Sequence, residues 1–200
     1  MRIALVTVIV ICLLATSAFA AATKPTAGSA TTKVQSRDGS FRLEAKTIMG
    51  SDNRFEAVGK AHLSRNDPVT KTVLEADAEK IVITTAPKAK SGMSIQTAEL
   101  TGPVKMLYSI TDENGSTTKT IATADSATFN GEAQTADLLG NVKITHENPA
   151  IFSTPAVMAG DKAVIYLNPD VGDNQYRFRV ESTSGLSTIT ATPKSRQETD

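Results

Sequence analysis

Apolar and polar residues alternate along much of this chain, and the clearest case is residues 122–147. Ala127 and Phe129 alternate with polar neighbours, and after Asn130-Gly131 the alternation resumes on Ala136, Leu138, Val142 and Ile144. A period of two is typical of a β-strand with one buried face. Asn-Gly tolerates the positive φ angles of a tight hairpin turn. This stretch therefore predicts a β-hairpin with one apolar face and one wet face.

The same unit recurs with loops of different length. A small residue, usually followed by a charged residue and then an apolar strand start, occurs at 45–48, 78–81, 124–127 and 160–163. Downstream of each, a glycine opens a second alternating run, at Gly59, Gly102, Gly140 and, more weakly, Gly185. Constant landmarks at irregular spacing favour stacked hairpins whose insertions lie at the surface. In the longest run, 94–110, Gly102-Pro103 predicts a bend at a sheet corner.

The N-terminal residues 1–20 have the pattern of a signal peptide. Arg2 precedes an apolar run at 3–14, and Ala18-Phe19-Ala20 fits the small-x-small cleavage rule. We expect cleavage after Ala20 and export. The alternative is an uncleaved anchor, because residues 3–22 are about as long as the ~20 apolar residues that span a bilayer.

The remaining chain predicts one domain between two polar segments. Residues 21–33 are expected to form a flexible linker, 34–191 the β-domain and 192–200 a polar tail. The single cysteine, Cys12, lies in the predicted signal peptide, so the exported chain has no disulfide. The 21 basic and 21 acidic residues are interspersed. This distribution excludes the basic stripe of a nucleic-acid-binding protein.

Few residues have a pattern that indicates chemistry. We expect both histidines, His62 and His146, to lie on the outward side of their strands, and a metal site needs three or four convergent ligands. Glu79, Asp125 and Asp161 recur at matching landmarks and are interpreted as outward charges at strand starts. The chain has no Gly-x-Ser-x-Gly elbow and no phosphate loop. We expect no enzymatic activity, no cofactor and no metal.

An exported sheet with one apolar face can fold into a packed sandwich or into an open aliphatic groove. Four phrases of the sequence resemble the repeated pattern of the LptA/OstA-like proteins of lipopolysaccharide transport. They are LEADAEKIVI at 74–83, ATADSA at 122–127, LGNVKI at 139–144 and AGDKA at 159–163. The resemblance covers about residues 41–189. One departure is Lys46, which stands where an acid is usual.

The resemblance implies an all-β fold, a twisted, V-shaped antiparallel β-jelly-roll built from repeated hairpins. It implies a periplasmic protein that carries acyl chains in an apolar groove between the inner and outer membranes. Its partners would be lipopolysaccharide or another acylated lipid, other OstA-like transport proteins of both membranes, and further copies in a head-to-tail homo-oligomer. A relative of the LptC type keeps an N-terminal anchor. The residues that would line the groove are Ile81, Ile83, Val104, Met106, Ala127, Phe129, Val142, Ile144, Ala163 and Ile165.

A different class of function fits the same pattern. Many predicted inward positions carry alanine, which lets two apolar faces approach closely. The chain is then a structural or adhesive exported β-protein with a closed core and no ligand. The alanines on these positions are Ala61, Ala98, Ala127, Ala136 and Ala163.

Overall fold

The structure is a computed structural model that describes residues 31–86, 95–168 and 176–194. Strands contain 74% of these residues, and none of the residues is helical. The described part of the chain therefore has no helix that could cross a membrane. The strands are β1 (Thr32–Gln35), β2 (Phe41–Ala45), β3 (Thr47–Gly50), β4 (Arg54–Asp67), β5 (Thr72–Thr85), β6 (Ile95–Thr111), β7 (Thr117–Asn130), β8 (Thr135–Glu147), β9 (Phe152–Tyr166), β10 (Phe178–Glu181) and β11 (Thr188–Pro193).

All strands belong to one antiparallel sheet, and from β4 to β9 their order follows the chain. On one side, β2 and β3 pair with different parts of β4, and β1 pairs with β2. On the other side, β10 and β11 pair with different parts of β9. The prediction of an all-β antiparallel fold built from hairpins is confirmed. The order is that of a meander, and the jelly-roll arrangement stays a prediction.

A register shift interrupts every pairing from β4–β5 to β8–β9 near the middle of the strands. In β4 it lies between Val58 and Ala61, and in β8 between Leu139 and Val142. An extra residue in one strand bends the sheet and increases its twist. Because the shifts are in neighbouring strands, the sheet bends along one line, which we call the fold line.

The fold line divides the sheet into two halves whose apolar faces pack together. Half A consists of β1, β2 and β11 with residues 61–67, 72–78, 104–111, 117–124, 142–147 and 152–160. Half B consists of β3 and β10 with residues 54–58, 80–85, 95–101, 126–130, 135–139 and 162–166. Side chains from both halves form one core, and its largest fully buried members are Phe41, Leu43, Ile81, Ile83, Leu138 and Ile144.

The landmarks repeated in the sequence meet at the fold line. Gly102 has a φ of +95°, and a Cβ atom there would lie 2.8 Å from the Cβ of Glu79. At Gly140, where φ is +78°, an added Cβ would come even closer to the carboxylate of Asp125. Glycine is required because other residues disfavour positive φ and because the facing strand leaves no room for a side chain. The predicted bend at Gly102 is therefore present.

The fourth unit is the weakest of the four, and the break in its parity predicts a bulge or an extra turn at 182–185. Gly185 lies in a bend outside the strands, and the alternating run that it was expected to open begins only at Thr188. The reason is the change of half: β10 pairs with half B of β9, whereas β11 pairs with half A. Residues 182–187 therefore cross the fold line, and they do not extend a strand.

One further expectation, on the turn after β7, is corrected. The turn after β7 spans residues 131–134, and its positive φ is at Gln134 (50°), not at Asn130-Gly131. Asn130 Oδ1 instead accepts hydrogen bonds from the backbone N–H groups of Glu132 and Ala133, so an Asx turn forms.

The predicted bounds of the linker, the β-domain and the tail stay predictions, and a strand lies across each inner bound. β1 begins at Thr32, inside the predicted linker, and β11 continues to Pro193, inside the predicted tail. Pairing with β2 and β9 satisfies backbone groups in both segments. The predicted signal peptide and residues 21–30, 87–94, 169–175 and 195–200 lie outside the described residues.

Candidate functional site

The structure brings the ten predicted groove residues together in one core. Ile81, Ile83, Ala127, Phe129, Ala163 and Ile165 belong to half B, and Val104, Met106, Val142 and Ile144 belong to half A. Each is at most 8% exposed. The predicted set therefore occurs on both facing surfaces, and in this structure each half covers the other. The role of these residues in lipid binding stays a prediction.

The ends of the two halves that lie away from the fold line face each other across a narrow opening, which we call the mouth. A cavity of about 310 Å³ lies there. Its apolar wall includes Leu74 from half A and Ile95, Phe129 and Leu167 from half B. The polar groups around it come from Arg65, Asp67, Thr70, Thr72, Gln134 and Asn168. An apolar wall with a polar rim suits an amphiphilic molecule better than a fully polar one.

The apolar core reaches the surface at this cavity. Leu74, Phe129 and Leu167 are 9%, 8% and 7% exposed, whereas Ile81 and Ile144 are fully buried. Phe129 is thus the predicted groove residue that lines the cavity, and the other nine lie in the packed core.

Tyr108 crosses the mouth beside the cavity. Its hydroxyl donates a hydrogen bond of 2.6 Å to the backbone carbonyl of Leu167, which connects β6 in half A to the end of half B. Burial raises the pKa of the Tyr108 phenol, against the opposing effect of the Arg177 and Arg65 guanidinium groups. The phenol is therefore a neutral donor at physiological pH.

His146 makes a second contact between the two halves at the mouth. Its ring packs edge-on against Phe178 of half B, with ring centroids 4.9 Å apart, and its Nδ1 lies 3.0 Å from the Thr120 hydroxyl. Burial lowers the pKa of His146, and the Arg177 guanidinium acts in the same direction. The ring is therefore neutral near pH 7.

The expected outward orientation is wrong for His146 and right for His62. His146 continues the alternation of Val142 and Ile144, so it faces inward. His62 lies on the outer surface, where its Nδ1 is 2.8 Å from an oxygen of Asp77.

The recurring carboxylates lie along the fold line, on the side away from the core. Glu79 and Asp125 are exposed, and Asp125 accepts a hydrogen bond from the Asn141 amide. Asp161 Oδ2 accepts bonds from the N–H and hydroxyl groups of Thr183 and Ser184, and the backbone bonds above all lower the pKa of Asp161. Within the described part of the chain, no cluster of His, Cys, Asp and Glu could hold a metal ion.

Apart from Phe129, the sequence analysis did not predict a role for the residues of the mouth, although the alternation contains a signal for some of them. Tyr108 continues the inward positions of Val104 and Met106, and it is the amphipathic residue at the end of that row. The contact with Leu167 could not be found in this way, because the two residues are 59 positions apart.

The described fold has a counterpart among solved structures. No protein-family model matches the chain, and no curated protein is significantly similar in sequence. The chain is similar to the crystal structure of LptH, described as the LptA-homologous periplasmic component of the lipopolysaccharide transport device of Pseudomonas aeruginosa. The TM-score is 0.52 at 12% identity, over 78% of this chain and 95% of LptH. The chain therefore has an LptA-like fold.

Proposed function

We propose that this protein binds an acylated lipid between the two halves of its sheet and carries it across the periplasm. The observation that carries the proposal is the continuous apolar surface that spans both halves and reaches a cavity at the mouth. The LptA-like fold supports the same function, because the neighbour with this fold is a component of a lipopolysaccharide transport device.

The proposed contacts of the acyl chain are the ten predicted residues, beginning with Phe129 at the cavity. Each CH₂ group that leaves water contributes about 0.8 kcal/mol, so one acyl chain binds without polar recognition. Along a row of similar aliphatic side chains, no single position has a much lower binding free energy, so the acyl chain is not trapped at one place. Movement along the row is then passive and is driven by the supply of lipid. The proposed role requires no enzymatic step and no cofactor.

One observation favours the second candidate, a structural or adhesive protein without a ligand. The interior is closed in this structure, and alanines such as Ala57, Ala61 and Ala136, each at most 1% exposed, allow the halves to approach closely. If no lipid enters, the closed core is simply the hydrophobic core of a stable domain. The two candidates differ in whether the halves separate to admit a chain.

The experiment compares adjacent residues on opposite faces of β7. A photo-crosslinking amino acid replaces Phe129, which lines the cavity, or Thr128, which is exposed on the outer face. In cells, the label at position 129 is expected to capture lipid, and the label at 128 is not. Lipid extraction of the purified protein gives an independent measurement. Folded, exported protein without captured or extracted lipid would support the structural role instead.

We also propose a periplasmic location after removal of residues 1–20. Mass spectrometry of the protein from the periplasmic fraction measures the mature N-terminus, with Ala21 expected first. Retention of residues 1–20 in a membrane fraction would favour the anchored, LptC-like alternative.

We propose head-to-tail association as the route of transfer between copies and to OstA-like proteins of the two membranes. β1 and β3 lie at one side of the sheet, and β10 and β11 lie at the other. All six residues of β11 are exposed, and such an edge strand can add a strand from a partner. Light scattering over a range of concentrations tests this. Ile189→Lys on β11 is expected to weaken association, whereas Leu139→Lys on the outer face of β8 is not.

A further inference from the structure

Because the interior is closed, an acyl chain can enter only where the two halves of the sheet can separate. Residues deep in the core, such as Ile83 and Leu138, are fully buried, so a chain reaches them only after the halves separate. Near the fold line the two halves are joined by continuous strands and cannot move apart. Separation is therefore possible only at the mouth, where the contacts between halves are side-chain contacts.

The type of contact between the two halves changes along the length of the mouth. One inward row of half A consists of paired residues on neighbouring strands: Leu74, Tyr108, Thr120, His146 and Ala156. At the His146 end, the ring packs on Phe178. Next to Leu74, Tyr108 is bonded to the Leu167 carbonyl. At the Leu74 end, the 310 Å³ cavity separates the row from Ile95 and Phe129.

The cavity suits one acyl chain and not a whole multi-chain lipid. Its volume is at the lower end of the range for ligand pockets, roughly 300–1,000 Å³. The apolar part of its wall belongs to the core, so a chain that lies against this part already contacts the interior. Its rim carries the Arg65 guanidinium and the Thr70 and Thr72 hydroxyls, so a polar head remains among groups that bind water.

We propose that this cavity is the portal through which a single acyl chain enters, and that the Tyr108–Leu167 hydrogen bond is the latch that holds the portal closed. The inference rests on the proposed lipid-binding function. Tyr108 is the residue best placed for the latch, because it borders the cavity and its hydroxyl bonds the opposite half. When the bond breaks, Leu74 and Phe129 can separate, and the cavity becomes continuous with the space between the halves.

The test uses cis-parinaric acid, a single-chain fatty acid that fluoresces in apolar sites, and the full exported chain. Tyr108→Phe removes the latch bond and keeps the ring. The open fraction rises, so the apparent Kd is expected to fall about fivefold, the factor that corresponds to a hydrogen bond of about 1 kcal/mol. Tyr166→Phe, on the outer face of β9, is the matched control and is expected to leave the Kd unchanged.

A second pair of variants tests the portal itself. Thr72→Phe places a ring in the cavity and is expected to slow association by about tenfold or more. Thr128→Phe makes the same change on the outer face and is expected to have no effect. Far-ultraviolet circular dichroism and the urea midpoint show whether each variant is folded.

The possible outcomes distinguish the proposed lipid-binding function from the proposed portal and its latch. If the unaltered chain binds the fatty acid and both Tyr108→Phe and Thr72→Phe behave like it, lipid binding stands and the portal is wrong. If Thr72→Phe slows association and Tyr108→Phe does not tighten binding, the latch is wrong. If neither the unaltered chain nor Tyr108→Phe binds, both the portal and the lipid-binding function are overturned.

Discussion

A single step along a strand of this sheet changes the environment of a side chain completely. Leu138 is fully buried between the two halves, whereas Leu139, the next residue, is 50% exposed on the outer face. The cause is the period of two, which directs consecutive side chains to opposite faces. The stability of the domain therefore depends on a set of single positions that alternate with tolerant ones.

The two leucines give a matched test of the register of β8. Leu138→Ala is expected to reduce the free energy of unfolding by about 2–5 kcal/mol, because it leaves a cavity in a packed core. Leu139→Ala is expected to change it by less than about 0.5 kcal/mol. Urea denaturation measures both. Equal losses of unfolding free energy would mean that the two faces of β8 contribute equally to stability, which would contradict the described register.

Single glycines at the fold line are also expected to be necessary for stability. Gly102→Ala is expected to cost about 1–2 kcal/mol for the positive φ alone, and more because the new Cβ meets Glu79. Gly115→Ala is the control, because its φ is +81° and no atom lies within 4 Å of the added Cβ. The difference between the two urea midpoints measures the cost of the close approach. No difference would show that β5 moves away without cost.

At the scale of elements, one carboxylate contacts the segment that connects the short strands β10 and β11. Residues 182–187 cross the fold line from half B to half A, and Asp161 of β9 holds Thr183 and Ser184 there. The carboxylate takes the place of water as the partner of these two exposed backbone N–H groups. The crossing lies where the break in parity before Gly185 predicts an extra turn.

Asp161→Asn is expected to loosen this crossing. Hydrogen bonds lower the pKa of Asp161 in the folded state, so its contribution is present above the unfolded pKa of about 4 and is lost as the pH falls through the folded value. The variant should therefore lose stability at pH 7 and lose less on acidification. Hydrogen exchange at the Thr183 and Ser184 amides should accelerate. Asp137→Asn, on the outer face of β8, is the control, and equal exchange in both variants would contradict the tether.

At the scale of the whole molecule, the fold line and the mouth have opposite properties. The fold line is covalently continuous and is fixed by glycines with positive φ. The mouth is held by a small number of side-chain contacts, among them Tyr108–Leu167 and His146–Phe178. Regions held by few contacts open at lower free energy than the core, so the mouth is where the molecule is expected to open.

The pH dependence of stability tests the closure at His146. Burial lowers its pKa, so the folded state resists protonation. Stability is then full above the unfolded pKa of about 6.5 and falls as the pH drops from there toward the folded value. His146→Phe should remove this decline between pH 8 and pH 5, as followed by urea midpoints. His62→Gln on the outer face should leave it in place, and a decline that survives His146→Phe would have another origin.

Local patterns in the sequence determined the element types and the apolar face. The alternation predicts the strands and the inward positions, because side-chain direction in a strand depends only on the residue's place along it. The sequence predicts strand starts at the acid and glycine landmarks, whereas Gly102 and Gly140 lie at register shifts within continuous strands, in backbone conformations that other residues avoid. All ten predicted groove residues were therefore found on the buried face.

Only the tertiary structure decided which of these positions meet. The sheet folds once along a line through five strand pairings, and that fold brings Tyr108 to Leu167 and His146 to Phe178. Such contacts depend on the angle and position of the bend, which no local pattern specifies. The same is true of the closed interior, because the distance between two apolar faces follows from how all their side chains pack together.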